Sequence, residues 1–143
     1  MSKRLSLDEL RAMLASNKKV SRGYSEEEHH LQCECVRYFN LRYPHLKGRL
    51  FAVPNGGRRD AVTGAKLKAE GVVPGVSDLI LLKSNRHYGA LLIEMKKRNG
   101  KQSESQKQWE KLVTAEKEFK YVKCHSFDEF KYEVDDFLSE RNK

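Results

Sequence analysis

The spacing of apolar residues changes along the chain, and each change marks an element. Residues 76–82 (VSDLILL) and 88–93 (YGALLI) are short, nearly continuous apolar runs, with the polar stretch Lys83 to His87 between them. Such runs predict the two strands of a β-hairpin, and a loop of about five residues is an ordinary length for one. The turn Val73-Pro74-Gly75 leads in, and Glu94-Met95-Lys96 closes the second strand. Residues 48–54 (GRLFAVP) and Phe119 to Lys123 predict further strands.

Helical spacing fills the rest. Leu7, Leu10 and Leu14, with Ser6 as N-cap and Glu9 three residues on, predict a short amphipathic helix. It reads as packed on its own domain or as a dimer or substrate arm. Residues 18–24 (KKVSRGY) form a connector. Ser25-Glu26-Glu27-Glu28 is a capping box that opens a helix running to about Tyr43, where Pro44 stops it. Its apolar face holds Leu31, Cys35, Tyr38 and Phe39. At ~100° per residue Glu27 and Glu28 flank that face while Glu26 points away, and periodicity does not choose between the two. Residues 60–70 predict a helix or an irregular loop, with Gly64 weakening the helix.

Ser103 and Gln106 cap a further helix, whose buried stripe is Trp109, Leu112 and Val113, with Trp109 in the core. Ser126-Phe127-Asp128-Glu129 caps the last one, with Phe127, Phe130, Val134, Phe137 and Leu138 on one face and its acids on a solvated outer face. The order of elements is helix, helix, strand, irregular helix, strand, strand, helix, strand, helix. The division is an N-terminal arm or helix over 1–22 and one domain over 23–143.

Composition narrows the class. With 28 basic and 20 acidic residues the net charge is +8, which suits a polyanionic partner such as nucleic acid. Cys33, Cys35 and Cys124 are too few and too scattered for a disulfide framework and suggest a reducing compartment. Cys33 and Cys35 diverge on a helix, as do His29 and His30. A pair such as His29 and Cys33 leaves two zinc ligands to find, which argues against a zinc site. No apolar run approaches the ~18 residues of a membrane span.

The candidate chemistry lies in the hairpin. Asp78 interrupts the first apolar run, and Glu94 and Lys96 stand sixteen and eighteen residues later. Residues i and i+2 of a strand share a face, so Glu94 and Lys96 point one way and Met95 the other, into the core. Burying an unpaired carboxylate costs several kcal/mol. A divalent cation held by Asp78, Glu94 and the Met95 carbonyl offsets that cost, and Mg²⁺ favours such oxygen ligands. A salt bridge between Lys96 and an acid at a solvated strand end explains the same residues. Asn55-Gly56-Gly57-Arg58-Arg59 forms a cationic, glycine-rich turn suited to phosphate. Lys66 and Lys68 add charge nearby, and Lys96, Lys97, Arg98 and Lys101 cluster around Gly100.

In order along the chain stand Pro-Asn-Gly-Gly (54–57), Gly-Val-Ser-Asp-Leu (75–79), Ile-Glu-Met-Lys (93–96) and Ser-Glu-Ser-Gln-Lys-Gln-Trp (103–109). Asp78 with Glu94-Met95-Lys96 resembles the signature of the PD-(D/E)XK nucleases. The full set, over roughly residues 24–125, resembles the VRR-NUC (virus-type replication-repair nuclease) family in its stand-alone phage or bacterial form. Ser77 stands where that family usually has proline; that proline shapes the approach to the strand and does no chemistry.

The resemblance implies an α/β fold with a restriction-endonuclease-like core, a mixed sheet flanked by helices, with the metal at one edge of the sheet. The last strand is then parallel to its neighbour through the helix containing Trp109. It implies Mg²⁺ or Mn²⁺ held by Asp78, Glu94 and Met95, with Glu28 (followed by Gln32, as in the family) anchoring a second ion or its waters. It gives Lys96 the placing of the attacking water. Gln106 is a helix cap by its position and reaches the metal site or scissile phosphate by family chemistry. Asn55, Arg58, Arg59, Lys66, Lys97, Arg98 and Lys101 become the DNA-contacting set. The implied activity is structure-specific cleavage of branched DNA, four-way junctions foremost, by a cytoplasmic homodimer. The alternatives are a flap, nick or sequence-reading endonuclease, an RNA nuclease, or a DNA-binding module that has lost catalysis.

Overall fold

A computed structural model describes Ser6, Asp8, residues 25–54 and residues 61–143. The N-terminal leucine helix and the Asn55, Arg58 and Arg59 turn lie outside the described residues. The elements run α1 (Glu26–Arg42), β1 (Leu50–Ala52), α2 (Ala61–Ala69), β2 (Leu79–Leu81), β3 (Ala90–Met95), α3 (Glu104–Thr114), β4 (Phe119–Cys124) and α4 (Phe127–Phe137). Short 3-10 turns at Pro44–Leu46 and Glu140–Asn142 complete the set. No described helix is long and apolar enough to cross a membrane.

The four strands form one mixed sheet in the order β1-β2-β3-β4. β1 and β2 pair antiparallel, as do β2 and β3, while β3 and β4 pair parallel through the α3 crossover. β2 is shorter than the apolar run that predicts it and β3 is as long as its run but starts two residues later, so the connection between them grows to Leu82–Gly89. Leu82 is exposed and drops out of the strand.

Register decides what each face carries. Leu79, Leu81, Leu91, Ile93, Met95, Val122 and Cys124 meet Cys35 and Phe39 of α1 and Phe130, Val134 and Phe137 of α4 in the core. The alternate positions, Glu94 among them, face α3. β3 is buried along its whole length because it is inside the sheet and covered on both faces.

Four expectations are corrected. Leu112 is 72% exposed, and Trp109 is half-buried against Tyr121, because α3 packs chiefly on β4. The Ser25 capping box is half-formed: Ser25 Oγ accepts from Glu28 N, but the Glu28 carboxylate turns inward instead of back to the cap. Asp135 of α4 is no solvated acid, since it accepts hydrogen bonds from the Tyr38 and Tyr43 hydroxyls and joins α4 to α1. The acids of the hairpin sit at the ends of the two inner strands, in the middle of the sheet rather than at its edge.

Candidate active site

Asp78 stands one residue before β2, where the ladder to β3 runs out. Leu79 pairs with Ile93, so the next antiparallel bond would tie Ser77 to Met95. The Asp78 side chain takes that place, its Oδ2 accepting from Met95 N at 2.7 Å. Its main-chain oxygen accepts from Val53 N at 2.9 Å on the other side. Ser77 is buried and its hydroxyl donates to Leu79 O at 3.1 Å. A side chain thus stabilises the bend without the proline expected there.

Glu94 is 0% exposed, and neither carboxylate oxygen has a hydrogen-bond partner. Lys96, on the same face, brings Nζ to 3.7 Å from Glu94 Oε1, an ion-pair distance but too long for a hydrogen bond. Lys96 Nζ donates instead to Gln106 Oε1 at 2.9 Å. The same Gln106 oxygen accepts from Ser103 N at 2.8 Å, completing a full capping box at the start of α3. Cap and site contact are therefore one atom with two donors.

Gly75 explains why α3 begins there. Its φ is +81°, and a Cβ on it would lie 2.2 Å from Ser105 O and 2.7 Å from Gln106 N. The turn before Asp78 is packed directly on the backbone of the first turn of α3. Glu28 closes the site from α1: it is 7% exposed, and its Oε1 accepts from Lys97 N at 3.3 Å. Glu26 and Glu27 are exposed, so the helix start presents one inward acid.

Burial pushes the Asp78 carboxyl up to about 6; the Met95 N–H opposes it, the charge of Glu94 adds to it, and Lys96 and Glu28 act more weakly with opposite signs. Burial also raises Glu94, against Lys96. Two acids made reluctant to ionise beside each other form a site that gains from a positive ion. The orphaned Glu94 oxygens, the Asp78 carboxylate and the Met95 carbonyl are all hard oxygen donors, which fits Mg²⁺ or Mn²⁺. Among the described residues no three His, Cys, Asp or Glu side chains form a ready-made cage, so most of such an ion's ligands would be water and main chain. His29 and Cys33 do lie together, 3.7 Å apart, but belong to no group of three such side chains among the described residues.

Of the expected DNA-contacting residues, Lys66 is exposed on α2, and Lys97, Arg98 and Lys101 are exposed in the loop after β3. Sequence reasoning missed Tyr121 and Gln102, which lie beside Glu94. Both read as ordinary strand and loop residues, and only the register of β4 brings the tyrosine under the acid.

A mixed sheet carrying an aspartate before one inner strand and a glutamate and lysine at the end of the next is the core of a PD-(D/E)XK nuclease. The family model of the VRR-NUC domain matches residues 58–128, and the chain carries that domain, a nuclease domain of this type. The match takes in Asp78, Glu94, Lys96 and Gln106 and leaves out Glu28. A solved structure described as a "VRR_NUC domain protein" superimposes with a TM-score of 0.65 over 81% of this chain and 91% of that one. At 21% identity that likeness is one of fold. No curated protein matches the chain.

Proposed function

We propose that this chain is a metal-dependent, structure-specific endonuclease that hydrolyses phosphodiester bonds in branched DNA, with resolution of four-way junctions by a homodimer as its leading task. The observation that carries the reading is Glu94: a wholly buried carboxylate with no hydrogen bond, beside an aspartate whose own ionisation burial opposes. Such a pair is expensive in a protein with no cation to meet. Mg²⁺ or Mn²⁺ held by Asp78, Glu94 and the Met95 carbonyl, with Glu28 toward a second ion or its waters, supplies Lewis acidity at the scissile phosphate and helps form hydroxide.

The chain's own residues do the rest. Lys96, oriented by Gln106 Oε1, places the attacking water and meets the charge that builds on the phosphate. Gln106 acts through Lys96, and no contact of its amide nitrogen is found among the described residues. Lys66, Lys97, Arg98 and Lys101, with Asn55, Arg58 and Arg59, hold flanking phosphates. The preference for four-way junctions rests on the match between a two-fold dimer and a two-fold junction.

The test is cleavage of matched four-way junction, flap, nicked and linear duplex DNA with Mg²⁺, Mn²⁺ or EDTA, beside Asp78→Ala. Symmetric, metal-dependent cuts confined to the junction are expected, and none with Asp78→Ala. Cuts on flaps or linear duplex keep the nuclease and replace its substrate. No cleavage with either metal, with DNA still bound, would leave a binding module.

A further inference from the structure

We propose that Tyr121 is a positioning residue for Glu94: its phenol donates a hydrogen bond to the buried carboxylate and fixes how that carboxylate faces the site. The proposal rests on the nuclease reading above and adds a residue from a strand that carries none of the signature. β3 and β4 pair Glu94 with Lys123 and Leu92 with Tyr121. Tyr121 is therefore the diagonal neighbour of Glu94 on the face toward α3, within reach of an aromatic side chain.

Three observations point to the contact. Both Glu94 oxygens and the Tyr121 hydroxyl are buried without hydrogen bonds, an acceptor and a donor each lacking what the other offers. They lie side by side on one face, since Tyr121 pairs with Leu92 and Glu94 with Lys123 across the β3–β4 ladder. Of the neighbouring polar groups, Lys123 Nζ pairs with Glu110 Oε1 at 3.6 Å, while Gln102 Nε2 donates to the same oxygen at 3.2 Å from a place beside Glu94 and the phenol.

Trp109 holds the phenol ring from α3, with ring centroids 6.0 Å apart. With one carboxylate oxygen held by the phenol, the other is left for Lys96 and for a cation. Groups that orient a metal-binding side chain in this way commonly change metal affinity or activity by about 10- to 100-fold when removed.

Tyr121→Phe removes the donor and keeps the ring beside Trp109. The experiment measures Mn²⁺ affinity by calorimetry, kcat and KM on junction DNA, and DNA affinity in EDTA. The parent chain and Glu94→Gln are the references. The expected result is Mn²⁺ binding weakened about tenfold and kcat lowered by a similar factor, with DNA affinity in EDTA and the thermal melt unchanged. Mn²⁺ affinity and kcat within about twofold of the parent, while Glu94→Gln loses both, would overturn the role of Tyr121 and leave the nuclease reading intact. A fall in the melt and in EDTA binding that matches the loss of kcat would show a packing role and overturn it as well. A parent chain that neither binds Mn²⁺ nor cleaves would remove the nuclease reading, and this proposal with it.

Discussion

Asp78 is held from both sides, by Val53 N at its carbonyl and by Met95 N at its carboxylate, and its pKa is still raised to about 6. The sign follows. A carboxyl whose folded pKa lies above its unfolded value contributes stability below the unfolded pKa and loses it as pH rises through the folded one. Without a cation the protein should therefore lose stability between about pH 4 and pH 6. Asp78→Asn keeps an acceptor for Met95 N and removes the charge, so it should raise the metal-free melting point at pH 8 and do little at pH 4. A shift of this kind is worth roughly 1–3 kcal/mol; an unchanged melt at pH 8 would argue against a strained aspartate. Protons should compete with Mn²⁺ at the same group, weakening its binding below about pH 6. Lys96 makes the complementary case. Lys96→Ala should lower cleavage by about 100-fold or more while DNA affinity stays nearly intact; unchanged cleavage would remove the role assigned to its ammonium. These charged residues were legible from sequence because acids inside apolar runs stand out. Tyr121 was not, because a tyrosine in a strand reads as packing until the register is known.

The first turn of α3 and the turn before β2 lean on each other through a glycine. Any side chain at position 75 meets Ser105 O at 2.2 Å and has to adopt a φ of +81°. Gly75→Ala should thus push the capping box away from the strand ends and separate Gln106 from Lys96. A loss of roughly 2–4 kcal/mol is expected, in line with backbone strain and overpacking together. Denaturant unfolding measures the stability loss, and cleavage should fall beyond what the folded fraction explains; activity that only tracks folding would mean the joint has no part in placing Lys96. At this scale the sequence spoke unevenly. Element order and the α4 face were readable from periodicity, and Phe130, Val134 and Phe137 are buried as that face requires; the parallel last strand followed from the family resemblance. Leu112 misled because helical spacing says which residues share a face, not how far the neighbouring sheet extends. Glu28 was ambiguous for a similar reason. The helical wheel sets both Glu27 and Glu28 beside the apolar face, and only the packed structure shows Glu27 exposed and Glu28 accepting from Lys97 N.

Across the whole molecule, α1, α3 and α4 begin near the same end of the sheet. Glu28 of α1 meets Lys97, Gln106 of α3 meets Lys96, and α4 opens just after Cys124, whose oxygen accepts from Lys96 N. Helix N-termini favour anions, which suggests that the dipoles draw the DNA in. The magnitudes say otherwise. Each N-terminus carries about half a positive charge, while the first turns hold Glu26, Glu27, Glu28, Glu104, Asp128 and Glu129. Those carboxylates outweigh the dipoles, so attraction for phosphate has to come from side chains, and the exposed Lys97, Arg98 and Lys101 lie in the loop that leaves the site. Replacing all three by alanine should weaken junction binding and reduce the slope of log affinity against log salt by about 2–3, near 0.9 for each phosphate left without its cation. Titrations in EDTA at several salt concentrations measure both without cleavage. A slope that does not change would mean that the phosphates are met elsewhere, by Lys66 of α2 or by Arg58 and Arg59, and not by the loop after β3.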